Sequence, residues 1–129
     1  PTDTPLPPSD TGDVRITEIF FDGEVFRVES DEYVEIRNYD NRVILLQGWE
    51  LEDSDGNVFP FPDFDMQPNQ TCRVYTDEIH PSSCGFSYGS DRAIWGNDGD
   101  MATLRDGNGT VIDECEYSAG GDTANCLND

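Results

Sequence analysis

Residues 30–62 read Ser30-Asp-Glu-Tyr-Val-Glu-Ile-Arg-Asn38, then Val43-Ile-Leu-Leu-Gln-Gly-Trp49, then Glu50-Leu-Glu-Asp-Ser-Asp-Gly-Asn-Val-Phe-Pro-Phe-Pro62. In the first segment apolar and polar side chains alternate, which predicts a half-buried strand with Val34 and Ile36 in the core. The alternation returns after the second segment and directs Trp49 and Leu51 inward. The run of Asp, Ser, Gly and Asn at residues 53–57 is typical of a hairpin turn. This stretch therefore predicts the middle strands of an antiparallel sheet.

Short strand-like segments separated by turn residues continue on both sides of this stretch. Residues 14–21, 71–76 and 110–117 are rich in β-branched and aromatic residues, as is typical of strands. Trp95 and Leu104 are expected in the core with the residues named above. We find no stretch that combines a helical period with helix caps. The pattern predicts an all-β chain that folds as an antiparallel β-sandwich of about seven to nine strands.

The composition divides the chain into three parts. Residues 1–13 are rich in proline and threonine and predict an extended linker, which would hold the folded part away from a surface or a neighbouring domain. Residues 14–117 are expected to form the β-sandwich. Residues 118–129 are rich in glycine and polar residues, and we expect Cys126 to tie this tail to the folded part.

The charge of the chain is extreme. It has 28 acidic and 7 basic residues among 129, a formal net charge of −21, and it contains no lysine. Such a surface repels phosphates and anionic lipid, so we expect no nucleic-acid partner and no membrane insertion. The composition resembles that of proteins from extreme halophiles, in which salt screens the self-repulsion. The alternative is an acidic extracellular domain that tolerates calcium or moderate salt.

Four cysteines, an even number, indicate two disulfides and an oxidising compartment. The alternative is a zinc site, but the chain has no Cys-x-x-Cys pair. Four cysteines allow three pairings. We expect Cys72 to bond to Cys84 and Cys115 to bond to Cys126, because this choice anchors one long loop and the C-terminal tail.

The order and spacing of several short motifs resemble those of a known family. The motifs are Ile16-x-Glu18-Ile19, Asp31-Glu-Tyr-Val-Glu-Ile-x-Asn38, Val43-x-Leu45-Leu-x-Gly-Trp49-x-Leu-x-Asp53, Trp95-x-Asn97-x-Gly-Asp100 and Asp113-x-Cys-x-Tyr117. They resemble the lamin tail domain family, whose prokaryotic members occur in secreted and surface proteins. The resemblance covers about residues 14–117 and implies an immunoglobulin-like fold with a binding or structural role. It implies no catalytic residues.

The chain departs from the nuclear members of this family in two respects that matter for its partners. It has cysteines that a nuclear protein would not use for disulfides, and its acidity does not suit contact with chromatin. The nuclear partners and the DNA binding of lamins are therefore not carried over to this chain.

Enzymatic chemistry finds little support in the sequence. The single histidine, His80, lies in a polar loop next to proline, and nothing near it supplies the buried acid and sharply turned serine of a catalytic triad. Acid pairs such as Asp53/Asp55 and Asp98/Asp100 lie in turns rather than in the contrasting environments that acid–base catalysis needs. We expect no enzyme, no catalytic residue and no cofactor.

Calcium is the main alternative to that expectation. Asp53, Asp55, Asp98 and Asp100 are candidate ligands, with Asp106 as a further one, because all lie in turns where carboxylate and carbonyl oxygens come together. The match to a calcium-binding helix–loop–helix motif fails, since the glycine and the final glutamate of that motif are out of place. Turn geometry alone also explains aspartate at these positions.

Two other features have ordinary explanations. Trp49 and Trp95 could form ligand platforms, but each lies in a strand-like pattern beside glycine, which favours core packing. Asn69-Gln-Thr71 and Asn108-Gly-Thr110 match the acceptor triplet for N-glycosylation and only permit a cell-surface location.

From the sequence we expect a non-catalytic binding or structural module of a secreted or cell-surface protein. It would serve adhesion, assembly or the positioning of attached domains. Its partners would be an unknown protein or surface polymer and other domains of the same chain. The alternatives are a calcium-dependent binding domain and an accessory domain of an extracellular nuclease or phosphatase.

Overall fold

A computed structural model describes residues 13–21, 32–76, 84–89, 95, 99–118 and 123–126. These residues form eleven strands and no helix. The strands, in chain order, are β1 (Val14–Phe20), β2 (Tyr33–Asn38), β3 (Ile44–Leu45), β4 (Glu50–Glu52), β5 (Val58–Pro60), β6 (Asp65–Met66), β7 (Thr71–Tyr75), β8 (Gly85–Ser87), β9 (Gly99–Arg105), β10 (Val111–Ser118) and β11 (Thr123–Asn125). The all-β class expected from the sequence is confirmed.

The strands form two main sheets. The five-stranded sheet has the order β11-β1-β2-β7-β8, and the four-stranded sheet has the order β10-β9-β4-β5. The short strands β3 and β6 pair with each other in a small third sheet. With these two-residue strands set apart, the strand count fits the expected range. Within the five-stranded sheet, Val34 of β2 lies between Ile19 of β1 and Val74 of β7, so the same inward row crosses three strands.

One strand pair departs from the expected antiparallel arrangement. β8 runs parallel to β7, with Phe86 opposite Val74. The reason lies at the start of β8, where a disulfide joins Cys84 to Cys72 and the Cys84 carbonyl accepts a hydrogen bond of 3.0 Å from the Arg73 N–H. Because these contacts return the chain to the beginning of β7, β8 continues in the same direction as β7.

The core lies between the two main sheets. The six residues expected there from the sequence are all buried: Val34, Ile36, Trp49, Leu51, Trp95 and Leu104. The alternating burial of β2 shows how they reach it, since every second side chain of this strand is fully buried. The apolar residues of an alternating strand therefore all point toward the opposite sheet.

The antiparallel register fixes which residues share an end of the sandwich. In the four-stranded sheet Asp100 lies at the start of β9 and opposite Tyr117 near the end of β10. The other end of β9, at Arg105, is opposite Glu50. The turn that follows Glu52 lies at the same end of the sandwich as Asp100, because β4 runs antiparallel to β9.

Candidate functional site

The Asp53 side chain organises the turn between β4 and β5. Its Oδ1 accepts hydrogen bonds from the Asp55 N–H at 3.0 Å and the Asn57 N–H at 2.7 Å, and its Oδ2 accepts one from the Asn57 side-chain amide at 2.7 Å. Gly56 has a φ of 90°, a conformation that glycine adopts without steric cost. Asp53 is therefore buried as a turn-forming residue, as the sequence of the turn predicts.

Asp100 meets this turn from the neighbouring strand. Its Oδ1 accepts hydrogen bonds from the Ser54 N–H at 2.9 Å and the Ser54 hydroxyl at 2.5 Å. One carboxylate oxygen from each of Asp53, Asp55 and Asp100 lies within 4.8 Å of the other two. Asp53 and Asp100 are buried and Asp55 is exposed, so the cluster opens to solvent on one side.

The structure thus brings together three of the four calcium candidates. The fourth, Asp98, lies outside the described residues. Asp106 does not join the cluster, because it follows the opposite end of β9 and caps its own turn through hydrogen bonds from the Asn108 and Thr110 N–H groups.

An open groove of about 440 Å³ adjoins the carboxylate cluster. Ser54, Asp100, Glu116 and Tyr117 lie along its wall. A cation held by the three carboxylates would therefore face a space large enough for water or a small ligand group, which calcium uses to complete its six to eight oxygen contacts.

Two tyrosines beside the carboxylate cluster have raised pKa values. Burial raises the pKa of the Tyr88 hydroxyl, and the nearby Asp53 and Asp100 carboxylates raise it further. Burial is also the largest cause of the raised pKa of Tyr117, followed by Asp100 and Glu32. Both hydroxyls stay neutral at physiological pH, so they can donate hydrogen bonds but add no charge to the cluster.

The family comparison covers nearly the whole chain. The family model described as Lamin Tail Domain matches residues 7–119. The chain belongs to the lamin tail domain family. This family consists of immunoglobulin-like, non-enzymatic domains, in agreement with the fold described above. A search of the curated proteins finds no match.

A buried glutamate just before β2 connects this strand to Trp95 in this lamin tail domain. Glu32 is fully buried, and its Oε1 accepts hydrogen bonds from the Thr76 hydroxyl at 2.9 Å and the Trp95 N–H at 3.2 Å. The local sequence does not single out Glu32 as buried, because an acid next to a strand normally remains in solvent. Since Trp49 and Trp95 are also buried, neither can serve as an exposed ligand platform.

The outer face of the five-stranded sheet carries a second group of polar residues. We call Arg15, Tyr33, Arg37, Tyr39 and Arg73 the arginine–tyrosine face. The Arg73 guanidinium carbon lies 4.1 Å from the centre of the Tyr33 ring, and those of Arg15 and Arg37 lie 4.8 and 5.3 Å from the centre of the Tyr39 ring. Cation–π contact thus holds each of these guanidinium groups against the sheet.

The structure also bears on the expectations for the cysteines, His80, the linker and the membrane. The structure joins Cys72 to Cys84 and Cys115 to Cys126, with Cα–Cα distances of 4.9 and 5.7 Å. His80 and the linker before Asp13 lie outside the described residues. The described part of the chain has no helix long and apolar enough to cross a membrane.

Proposed function

We propose that this lamin tail domain is a non-catalytic binding or structural module of a secreted or cell-surface protein. Its role would be adhesion, assembly or the positioning of attached domains. Membership of a family of non-enzymatic immunoglobulin-like domains, over residues 7–119, is the observation that carries the proposal.

The two disulfides support the extracellular part of the proposal. Cys115 and Cys126 join β10 to the C-terminal tail, and Cys72 and Cys84 hold β8 against β7. Such bonds form and persist in oxidising compartments and are rare in the cytosol. The composition adds a second argument, because a net charge of −21 does not suit the nucleic-acid partners of nuclear lamins.

A fractionation experiment combined with an activity assay tests this function. We expect the protein in the secreted or surface fraction of the cells that produce it, with all four cysteines oxidised. We also expect the purified chain to bind those cells without hydrolysing duplex DNA or p-nitrophenyl phosphate. A cytosolic protein with free thiols would contradict the proposed location, and hydrolysis that disappears when the chain is unfolded would contradict the non-catalytic role.

The calcium-dependent alternative is favoured by one observation, the approach of Asp53, Asp55 and Asp100 to within 4.8 Å. Two of these carboxylates are buried, and three negative charges at this distance repel one another. A calcium ion would neutralise them and receive one oxygen from each, while the adjoining groove leaves room for other oxygen ligands.

Calcium is therefore expected to stabilise the folded chain. With a dissociation constant near 0.1–1 mM, as in extracellular modules, about 10 mM calcium would add roughly 1.5–3 kcal/mol to the free energy of unfolding. Denaturant unfolding with and without calcium measures the gain, with sodium chloride at matched ionic strength as reference. Asp55→Asn should abolish the gain.

Asp63→Asn is the matched control for this experiment. Asp63 is exposed and lies outside the cluster, so this substitution removes the same charge without touching the three carboxylates. It should leave the calcium effect unchanged. A gain of equal size with sodium chloride, or equal losses in both variants, would show general screening of a −21 chain instead of a bound ion.

A further inference from the structure

Two turns of the sandwich carry the acceptor triplet for N-glycosylation. Asn69-Gln-Thr71 lies between β6 and β7, and Asn108-Gly-Thr110 lies between β9 and β10. No other asparagine of the chain is followed two positions later by serine or threonine. In the folded chain the asparagine and the threonine of both triplets are exposed. A sugar chain on either asparagine would therefore project into solvent without displacing the core.

The side chains of these two asparagines are not used to hold the turns. The backbone holds the first turn through the Asn69 N–H, which donates to the Asn38 carbonyl at 2.8 Å. In the second turn the Asn108 N–H donates to Oδ1 of Asp106 at 2.9 Å. Within the described residues neither side-chain amide forms a hydrogen bond, whereas the buried amide of Asn38 donates three. Replacing one amide proton with sugar would therefore cost the fold no hydrogen bond at Asn69 or Asn108.

The course of β1 and β10 decides where the two turns lie. These strands are neighbours, and the Ile16 N–H of β1 donates to Oδ2 of Asp113 in β10 at 2.8 Å. Farther along, the Phe21 ring, one residue after β1, stacks on the Tyr117 ring of β10 with 4.2 Å between their centres. Because the two contacts follow the same order in both strands, β1 and β10 run in the same direction. The start of β10 therefore lies at the same end of the sandwich as the start of β1.

Each acceptor turn lies next to one of these strand starts. β1 begins at Val14, which pairs with Asn38 at the end of β2, and the Asn38 carbonyl accepts the N–H of Asn69. Asn108 lies in the turn directly before β10. The carboxylate cluster lies at the opposite end, since Asp100 is at the start of β9 and this strand runs antiparallel to β10. Sugar on both turns would cover one end of the sandwich and leave the cluster and its groove uncovered.

The covalent step needs a sugar donor, which the producing cell would supply. Its chemical class is an oligosaccharide joined through C1 of its first sugar to a lipid phosphate or diphosphate. A bond forms between the asparagine Nδ2 and this C1, while the bond from C1 to the phosphate oxygen breaks and the lipid phosphate leaves with the electron pair. Nδ2 loses one proton to solvent. The transferase recognises the threonine two positions after the asparagine.

We propose that Asn69 and Asn108 each carry an N-linked oligosaccharide in the protein made by its own cells. The transfer takes place outside the cytosol, so the inference rests on the proposed secreted or cell-surface location. It goes beyond that function, because it assigns two modification sites and the end of the domain that sugar covers. The exposed turns and the unengaged side-chain amides are the observations that carry it.

Mass spectrometry of the chain purified from the cells that produce it tests the proposal. Trypsin cleaves after arginine and separates the two triplets into the peptides 43–73 and 106–129. We expect a sugar-bearing form of each peptide, with fragment ions that place the sugar on Asn69 and Asn108. The same peptides contain Asn57 and Asn125, which lack the triplet and should carry no sugar, so each peptide includes its own control.

Threonine variants made in the same cells test the role of the triplets. Thr71→Ala and Thr110→Ala should each abolish the sugar on the asparagine two positions earlier, which lowers the mass of the intact chain by one oligosaccharide. Thr71→Ser and Thr110→Ser are the matched controls, because serine also completes the triplet and should keep the sugar. Both threonines are exposed, so none of these variants disturbs the core.

The outcomes separate this inference from the proposed function. Two sugar-free peptides, from a chain in the secreted or surface fraction with oxidised cysteines, would overturn the inference and leave the proposed function standing. Sugar on only one peptide would overturn the assignment of the other asparagine. Sugar that persists in both alanine variants would place it on other residues and would also overturn the inference. A cytosolic chain with free thiols and no sugar would contradict both proposals.

Discussion

Replacing Asn38 with aspartate is expected to lower the free energy of unfolding by about 4 kcal/mol. The Asn38 side chain is fully buried, and its amide donates hydrogen bonds to the carbonyls of Arg42 and Met66 at 3.0 Å and of Gln67 at 3.2 Å. Its Oδ1 accepts a hydrogen bond from the Asp40 N–H at 2.8 Å. Aspartate keeps this acceptor but directs a buried negative charge at three carbonyl oxygens.

Asn38→Ala provides the comparison that isolates the charge. Alanine loses the same donors without adding a carboxylate, so we expect a smaller loss of about 3 kcal/mol. Burial should raise the pKa of the introduced aspartate above its usual range, so its neutral form is favoured in the folded state. The deficit of Asn38→Asp relative to the wild type should therefore shrink as the pH falls toward 4, about the ordinary pKa of aspartate.

Urea unfolding of both variants at pH 7 and pH 4.5 measures these effects. Asn69→Gly serves as a control in the turn whose Asn69 N–H donates to the Asn38 carbonyl. Asn69 is exposed with a φ of 65°, where glycine is at least as favourable, so this variant should change stability by less than about 0.5 kcal/mol. Equal stability of Asn38→Asp and Asn38→Ala at pH 7 would contradict the explanation.

The local part of this fold could be predicted from the sequence. Val34, Ile36, Trp49 and Leu51 are all buried because strand alternation is a local property with a period of two residues. The turn at residues 53–57 is equally local, since Asp53 forms its hydrogen bonds within four residues. These features also carried the family resemblance, which the family comparison confirmed.

The sites depend on contacts that the sequence does not encode locally. Asp100 meets Ser54 across 46 residues, and Glu32 meets Trp95 across 63, so neither contact follows from spacing. The approach of Arg15 and Arg37 to the same Tyr39 ring depends on the register of β1 and β2. The parallel β8 depends on a disulfide that returns the chain to β7 after the strand has ended. Tertiary geometry, and not residue type, decides each of these features.

Removing a disulfide should have a comparably large effect. For the double substitution Cys115→Ala and Cys126→Ala we expect a loss of about 3 kcal/mol, because the closed loop spans 11 residues and its closure restricts the unfolded chain. The Cys72–Cys84 loop spans 12 residues, so the same entropic loss applies. Cys72 is also fully buried in the core, and alanine there leaves a small cavity. The second double variant should therefore lose more, about 4 kcal/mol.

Guanidinium unfolding of the two double variants, with the reduced wild-type chain as a third sample, measures these losses. Double substitution avoids the free thiol that a single substitution would leave. The reduced wild type keeps every core atom, so its deficit should approach the sum of the two entropic terms, about 6 kcal/mol. Losses below about 1 kcal/mol in both variants would contradict this account.

These magnitudes connect the disulfides to the proposed location. Domains of this size are stable by only about 5–15 kcal/mol, so losing about 6 kcal/mol would remove much or all of the margin. Self-repulsion from a net charge of −21 further lowers the free energy of unfolding. In a reducing cytosol the folded state would then be poorly populated. In an oxidising compartment both bonds would form and the folded state would keep its stability, which supports the proposed secreted or cell-surface location.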